Sequence, residues 1–436
     1  MQELEPLFYP QSICLIGNTN INENISSPEN FDNIKNNLCG FGGKTFFVDL
    51  KKGQYFPQAD LYVVLLNERD LLENVDKFSC KFCVILPGNY SQKRLIISRF
   101  KERGIRFLGP NSVCGIINTD NGLNLTFEKN AFPRRGNHSI VSQSGGVGAA
   151  LLDIASQNSS IGGIGKLIWL GNAWDIGFSD IIHFLNSDKQ TRSIGLYIEG
   201  LQNGKDFINI VRKIKKPIVA LKSGIYQQSA KRALTHTSSI AGESRIYSSA
   251  FKQLGVKEVN DIDELYYTSY FLSLNNDVRG KRVAIISNVG GPSILAADIL
   301  LGSELELAEL ENKTVERIKK KYPMISVLNP LDIIADADGS RFEYCLTSVI
   351  NDKNVDAVLL INMLKSCTLK LEDVKIISDF IRKSQKLIID VVPGIGDWKK
   401  VRSMMKENDI YVFNNLHQAV KIIKSMYDYY IYKNRK

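Results

Sequence analysis

Short apolar runs alternate with longer amphipathic stretches along the whole chain. Twelve runs have the length and composition of buried strands: 12–16, 44–49, 61–66, 82–86, 106–108, 139–142, 166–170, 193–198, 217–221, 283–287, 358–362 and 387–392. Most of the stretches between them are long enough to form helices. Strands that alternate with helices are typical of parallel sheets covered by helices, so the pattern predicts an α/β fold.

The length of the chain predicts several domains. A chain of 436 residues is too long for a single hydrophobic core. We predict three domains, at 1–130, 131–275 and 276–436. The first and the third both begin with a strand, a glycine-containing turn and a helix.

Composition narrows the class of protein. The chain is 44% hydrophobic and 23% charged, and no apolar run approaches the roughly 20 residues of a membrane span. The N-terminus lacks the features of a signal peptide, so we expect a cytoplasmic protein without a membrane partner. The net charge of +9 is spread over presumed helix faces, which does not indicate nucleic acid binding. Seven irregularly spaced cysteines, with one isolated CxxC at Cys80 and Cys83, predict neither a disulfide framework nor a metal site.

Two glycine-rich segments lie where a strand passes into a helix. Segment 142–148 (SQSGGVG) precedes apolar positions that form one helical face, so Ser144, Gly145 and Gly146 fall at a helix N-terminus. Segment 287–293 (SNVGGPS) places Gly290 and Gly291 just before a helix predicted over 294–301. Backbone N–H groups and the helix dipole favour an anion at such positions. A tight turn with Ser144 as a simple cap remains the alternative.

A histidine and a glutamate lie near the ends of two other predicted strands. Segment 222–242 follows strand 217–221 and holds His236, one of four histidines, among hydroxyl-bearing and small residues. A loop that carries a phosphoryl group on histidine needs such neighbours, although an ordinary polar loop is the alternative. Glu199 follows strand 193–198, at an edge where α/β sheets bind ligands. It could orient the His236 imidazole and stabilise its cation, or it could be an exposed surface residue.

These segments resemble the α-subunit of NDP-forming acyl-CoA synthetases. This family includes ADP-forming acetyl-CoA synthetase and, more distantly, succinyl-CoA synthetase. The resemblance extends from about residue 104 to the end of the chain, in order and spacing as well as composition. Its landmarks are 109–111 (GPN), 117–119 (INT), 141–146 (VSQSGG), 170–175 (LGNAWD), 196–200 (LYIEG), 222–242, 287–292 (SNVGGP) and 329–332 (NPLD).

The resemblance implies a fold and a set of roles. It implies a Rossmann-like CoA-binding domain followed by two flavodoxin-like domains. His236 would be phosphorylated by an acyl phosphate, and Glu199 would orient it. Both helix starts would cradle the phosphohistidine, through Ser144, Gly145 and Gly146 and through Gly290 and Gly291.

The resemblance also implies substrates and a partner. Coenzyme A and phosphate would be substrates of the reaction acyl-CoA + ADP + phosphate ⇌ acid + ATP + CoA. CoA would bind near Gly17, Asn18 and Asn111. ADP or ATP with Mg²⁺ would bind an ATP-grasp β-subunit, because no such domain follows residue 436, and the assembly would be an α2β2 heterotetramer.

Departures from the family pattern keep other functions open. Segment 17–24 (GNTNINEN) replaces the usual small-residue loop, the region between residues 49 and 95 is shortened, and segment 109–115 is one residue longer than usual. In the histidine loop, Ile225 stands where the family often has Arg, and Ser229 and Ser238 replace glycines. One alternative is therefore a non-catalytic or regulatory acyl-CoA-binding subunit. Another is a related protein acyltransferase, which the absence of an acetyltransferase domain disfavours.

Overall fold

The chain divides into two compact units. The structure, a computed structural model, describes residues 4–20, 25–53, 55–129, 131–157, 163–225, 244–274, 276–363, 371–393 and 412–435. Unit 1 comprises residues 1–157 and 162–273, and unit 2 comprises residues 158–161 and 274–436. Unit 1 contains two sheets and unit 2 contains one, counted over the described residues.

The first sheet of unit 1 is parallel and buried on both faces. Its strand order is β2-β1-β3-β4-β5, with β1 (Ser12–Gly17), β2 (Lys44–Asp49), β3 (Leu61–Leu65), β4 (Phe82–Ile85) and β5 (Arg106–Leu108). In β1, Ile13 and Leu15 pack into one core whereas Cys14 and Ile16 pack into another, which explains the continuous apolar run. The helices are α1 (Glu5–Phe8), α2 (Pro28–Asn37), α3 (Glu68–Asn74) and α4 (Lys93–Glu102), with 3-10 turns at Leu38–Gly40 and Val75–Lys77.

The second sheet of unit 1 adds two antiparallel strands to a parallel set. Its order is β12-β11-β10-β8-β9-β6-β7, with β6 (Ile116–Asn118), β7 (Leu123–Asn124), β8 (Arg135–Ser142), β9 (Ile164–Trp169), β10 (Ser193–Ile198), β11 (Ile218–Lys222) and β12 (Lys257–Val259). Strand β6 is antiparallel to β9 and to β7. Both β6 and β7 precede residue 131, where we predicted the second domain to begin. The helices are α5 (Gly145–Gln157), α6 (Phe178–Ser187), α7 (Gly204–Val211), α8 (Ser244–Leu254) and α9 (Ile262–Ser273).

The sheet of unit 2 is parallel in every pairing between its strands. Its main order is β14-β13-β16-β17-β18, with β13 (Arg282–Ser287), β14 (Glu306–Leu307), β15 (Leu331–Asp332), β16 (Ala357–Ile361), β17 (Leu387–Val391) and β18 (Val412–Phe413). Strand β14 pairs with the beginning of β13, and β15 pairs with its end. The helices are α10 (Gly290–Gly302), α11 (Asn312–Lys321), α12 (Gly339–Ile350), α13 (Leu371–Lys383) and α14 (Leu416–Asn434).

All three sheets share one order of parallel strands. Numbered within each sheet, and leaving out the short β15, five parallel strands follow the order 2-1-3-4-5. This is the flavodoxin-like order, and it is also a Rossmann order without its third strand, as expected for the shortened first segment. The predicted α/β class is confirmed, and all twelve predicted strands occur. Ligands bind such sheets where the order reverses, which here is beyond Gly17, Ser142 and Ser287, at the ends of β1, β8 and β13.

Two expectations from composition bear on the described residues. Every helix among the described residues is too short or too polar to cross a membrane. The sulfur atoms of Cys80 and Cys83 are 3.5 Å apart as thiols, and Cys83 is a buried residue of β4. No cluster of three or more metal-ligating side chains occurs in the ranges given above.

Candidate functional site

The point of strand reversal in the second sheet brings two predicted site segments together. Strand β8 ends at Ser142 and lies beside β10, in which Tyr197 is the partner of Ser142. The Ser142 hydroxyl donates a hydrogen bond to the Ser144 carbonyl at 2.8 Å, which forms a tight turn into α5. Ser144 Oγ accepts a long hydrogen bond, 3.4 Å, from the Val147 N–H, so Ser144 does cap the helix.

The glycines at the start of α5 serve two different purposes. A Cβ on Gly145 would lie 3.0 Å from a methyl group of Val113, and a Cβ on Gly148 would collide with the Trp169 indole. Close packing therefore requires glycine at position 148 and leaves little room for a side chain at position 145. Gly146 is exposed, and no described atom lies within 4 Å of its Cβ position. Packing does not explain this glycine, and its exposed position leaves the N-terminus of the helix accessible to an anion.

Glu199 is buried and has a carboxylate oxygen without a partner. Glu199 directly follows β10 and is only 8% exposed, so the alternative of an exposed surface residue is wrong. Its backbone N–H donates to Gln143 Oε1 at 2.7 Å, and its carbonyl accepts from Lys222 Nζ at 2.9 Å. Among the described residues, none forms a hydrogen bond with Oε2. A buried carboxylate oxygen is costly without a donor, so we expect a cationic or hydrogen-bonding group to approach it.

Described residues on either side of positions 226–243 contact the turn that contains Glu199. Lys222, at the end of β11, contacts the Glu199 carbonyl and lies 4.8 Å from the centre of the Tyr247 ring. Tyr247, in α8, accepts a hydrogen bond from the Leu201 N–H at 3.1 Å. Burial lowers the pKa of Lys222, and the nearby charge of Glu199 opposes that shift. His236 itself lies outside the described residues, whereas Lys222 and Tyr247, on either side of it in the sequence, both contact residues 199–201.

Unit 2 contains the second predicted helix start. The Ser287 hydroxyl donates to the Val289 carbonyl at 2.8 Å, as Ser142 does to Ser144, and α10 begins at Gly290, four residues earlier than predicted. Gly291 is exposed, with no described atom within 4 Å of its Cβ position. The corresponding position on Gly290 is 3.7 Å from Asp332 Oδ2. The geometry repeats that of Gly146, with a carboxylate added beside it.

The residues predicted to contact CoA lie along the carboxyl edge of the first sheet. Gly17 ends β1, and the Phe31 ring fills the space that its Cβ would need. The Asn18 amide donates to Asp70 Oδ2 at 2.8 Å. Asn111 follows β5, has a positive φ of 62°, and its amide is 3.4 Å from Asn172 Oδ1. Gly17 and Asn18 are therefore separated from Asn111 by β3 and β4, and all three engage protein groups.

Sequence reasoning missed several residues that hold this site together. Gln143, Lys222 and Tyr247 all contact the turn at 199–201, and Asn288 bonds Met363 in unit 2. One signal was available in the sequence. When SQSGG and SNVGG are aligned, a side-chain amide occupies the second position of both.

Comparison with known proteins assigns the chain to a family. A sequence model described as the succinyl-CoA ligase-like flavodoxin domain matches residues 135–272. The α-subunit of ADP-forming acetate–CoA ligase II from Pyrococcus furiosus is 33% identical over 385 residues, covering 82% of each chain. The ADP-forming acetate–CoA ligase of Methanocaldococcus jannaschii is 35% identical over 77% of this chain, which spans only 50% of that longer protein.

A solved structure supports the same assignment. Dinucleotide-forming acetyl-coenzyme A synthetase 1 of Candidatus Korarchaeum cryptofilum, in complex with phosphate and ADP, superposes with a TM-score of 0.88 at 25% identity. The superposition covers 100% of this chain and 98% of that one. The sequence and structural similarities agree with the resemblance found in the motifs. The chain therefore belongs to the family of ADP-forming acetate–CoA ligases, and within it resembles the α-subunits.

Proposed function

We propose that this chain is the α-subunit of an ADP-forming acyl-CoA synthetase. With a partner it would convert acyl-CoA, ADP and phosphate into the free acid, ATP and CoA. The observation that best supports this activity is the buried Oε2 of Glu199, which has no hydrogen-bond partner among the described residues. It belongs to the turn that Lys222 and Tyr247, on either side of residues 226–243, both contact. Relatives that are ADP-forming acetate–CoA ligases support the same reaction class.

The reaction is proposed to begin at the N-terminus of α5. A phosphate oxygen attacks the thioester carbonyl, the C–S bond breaks, and CoA leaves as an acyl phosphate forms. The backbone N–H groups of Gly145 and Gly146 and the hydroxyl of Ser144 would bind the phosphate oxygens. The exposed and unobstructed surface at Gly146 supports this role.

Transfer to histidine is the proposed second step. A neutral imidazole nitrogen of His236 attacks phosphorus, the bond to the acyl oxygen breaks, and the carboxylate leaves. Glu199 would accept a hydrogen bond from the other ring nitrogen and stabilise the positive charge that develops on the ring. Gly290 and Gly291 would provide the second anion-binding helix start, which the exposed position of Gly291 supports.

A partner is proposed to complete the cycle. An ATP-grasp β-subunit would bind ADP with Mg²⁺ in an α2β2 assembly. The terminal phosphate oxygen of ADP would attack the phosphorus on His236, the P–N bond would break, and ATP would form. The relative named as an α-subunit supports the existence of a partner. We propose that residues 1–130 bind CoA near Gly17, Asn18 and Asn111, that residues 131–275 carry the histidine segment, and that residues 276–436 form the second flavodoxin-like domain.

Synthesis of ATP tests the proposal. The αβ complex is mixed with ADP, Mg²⁺, phosphate and one acyl-CoA at a time, from acetyl-CoA to branched and aromatic esters. We expect ATP formation that depends on both subunits and on phosphate. A complex that binds an acyl-CoA tightly but forms no ATP from any ester would instead identify a regulatory subunit.

A further inference from the structure

The Gln143 side chain connects the two halves of the site in unit 1. Gln143 is 8% exposed and immediately precedes Ser144. Its Oε1 accepts hydrogen bonds from the N–H groups of Glu199, at 2.7 Å, and Gly200, at 3.1 Å. Its Nε2 donates to the Gly200 carbonyl at 3.0 Å. The carboxamide therefore uses both of its polar atoms on the turn that carries Glu199.

This connection sets the position of Glu199 relative to α5. The Gln143 backbone N–H also donates to the Tyr197 carbonyl at 3.2 Å, which fixes the base of the side chain. Lys222 holds the Glu199 carbonyl from the neighbouring strand. The backbone of Glu199 is thus bound through both its N–H and its C=O, and its carboxylate extends from a fixed point beside the helix N-terminus.

Unit 2 repeats the arrangement at the equivalent position. Asn288 follows the first strand of its sheet, as Gln143 does, and is fully buried. Its Oδ1 accepts from the Met363 N–H at 2.8 Å and its Nδ2 donates to the Met363 carbonyl at 3.2 Å. In each unit the amide lies in the turn before a Gly-Gly helix start and bonds the turn after the neighbouring strand of the sheet. That strand is β10 in unit 1 and β16 in unit 2. The fold therefore uses the same side-chain amide link in both units, and in unit 1 the linked turn carries Glu199.

We propose that Gln143 is a positioning residue for phosphoryl transfer. It holds the Glu199 carboxylate at a fixed distance from the N–H groups that bind phosphate, and it contacts no substrate itself. This inference rests on the proposed function, because it assigns Glu199 to the orientation of His236. Small displacements of such groups slow chemical steps strongly.

A double-mutant cycle tests whether Gln143 acts through Glu199. The αβ complexes of Gln143→Met, Glu199→Gln and the double variant are compared with wild type in the rate of phosphoenzyme formation from acetyl-CoA and labelled phosphate. We expect Gln143→Met to slow this step by about tenfold or more. In the Glu199→Gln background, the same change is expected to have an effect below about twofold, because the group it positions is already lost.

Asn37→Leu is the matched control for loss of a buried amide. Asn37 is 5% exposed, and its Nδ2 donates to the carbonyls of Thr126, at 2.7 Å, and Glu128, at 3.1 Å. It bonds none of the residues of the 199–201 turn in the described structure. Any effect of Asn37→Leu is therefore expected to be the same in the wild-type and Glu199→Gln backgrounds.

Gln143→Glu supplies a second readout. A glutamate keeps the oxygen acceptor, but only its protonated form can donate to the Gly200 carbonyl. We expect its rate relative to wild type to be higher at pH 6 than at pH 8. If Gln143→Met does not fold, the pH dependence of the Gln143→Glu rate tests the positioning role of Gln143 instead.

Three results would overturn the proposal. The first is a wild-type rate of phosphoenzyme formation in Gln143→Met. The second is a Gln143→Met change that slows this step by the same factor in the wild-type and Glu199→Gln backgrounds, as is expected of the Asn37→Leu control. The third is a Gln143→Glu variant whose rate relative to wild type does not depend on pH. Failure of wild-type protein to form any phosphoenzyme would instead refute the proposed function, so the two failures are distinguishable.

Discussion

At the scale of single residues, Glu199 leads to a direct prediction, because its Oε2 is buried and has no hydrogen-bond partner in the part of the chain that the structure describes. Glu199→Gln preserves the size of the side chain but removes the charge that would stabilise a cationic imidazole. We expect phosphoenzyme formation to slow by about a hundredfold, within the range typical of an acid–base or orienting group. Rapid-quench labelling measures this rate. Binding of an acyl-CoA, measured by calorimetry, should stay unchanged, and an unaltered labelling rate would exclude the assigned role.

A second residue-scale prediction concerns the stability of unit 1 in acid. His138 is fully buried in β8, its ring packs edge-on against Tyr266, and neither ring nitrogen has a hydrogen-bond partner in the described structure. Burial lowers the pKa of His138 to about 3. An unfolded histidine titrates near pH 6.5, so the unfolded state binds an extra proton between about pH 6.5 and pH 3. The neutral histidine therefore contributes stability above pH 6.5 that is progressively lost as the pH falls toward 3.

The variant His138→Phe isolates this effect. At pH 5 the loss from His138 should reach about 2 kcal/mol relative to pH 7.5, since each pH unit below 6.5 costs about 1.4 kcal/mol. Urea unfolding at both pH values, followed by the fluorescence of the buried Trp169, compares the variant with wild type. The free energy of unfolding should fall less for the variant. Equal losses in the two proteins would contradict this explanation.

Some residues of the candidate site were proposed from the sequence, and others became apparent only in the structure. His236 and Glu199 stood out because of their residue types and their places after apolar runs. Gln143 gave no comparable signal, because its function depends on a turn 56 residues away. Contacts of that kind exist only after the strands are ordered in the sheet.

At the scale of elements, the N-terminus of α5 can be tested through Gly146. Alanine should be tolerated there, because Gly146 has no positive φ and its Cβ position is open among the described residues. Alanine also favours a helix over glycine, by up to roughly 1 kcal/mol. The added methyl group would nevertheless occupy the surface that phosphate approaches. We expect Gly146→Ala to raise the KM for phosphate by about tenfold, a loss of about 1.4 kcal/mol in binding, without lowering thermal stability.

Gly204→Ala is the matched control for this experiment. Gly204 is the first residue of α7, and no described atom lies within 4 Å of its Cβ position. It is assigned no part in phosphate binding, so its KM for phosphate should equal that of wild type. If Gly146→Ala had the same KM for phosphate as Gly204→Ala and wild type, the argument for an anion site at the N-terminus of α5 would fail.

The apolar pattern predicted strands best where both faces of the strand are buried. Strands that are covered on both faces, such as β3 and β16, form continuous apolar runs and were predicted to within one residue at each end. Most strands of two or three residues, such as β6, β7 and β15, are too short to show periodicity and were missed, although the three-residue β5 was predicted. The start of α10 was also placed late, because Gly290 and Gly291 resemble a turn rather than a helix.

At the scale of the whole molecule, one strand order serves all three sheets. The order 2-1-3-4-5 places a strand reversal beside each glycine-containing turn. The resemblance in motifs indicated the fold, but local patterns do not encode which strands are neighbours. The pairing of β8 with β10, which brings Ser144 and Glu199 to one edge, emerged only from the structure.

Direct labelling tests whether His236 carries the phosphoryl group. The αβ complex is incubated with radiolabelled phosphate and acyl-CoA, and the label on this chain is examined for acid lability and alkali stability. The account predicts such a label in wild type and in His183→Ala, which changes an exposed histidine of α6, and no label in His236→Ala, which should remain folded. Label that persists in His236→Ala, or no label in wild type with its partner present, would contradict it.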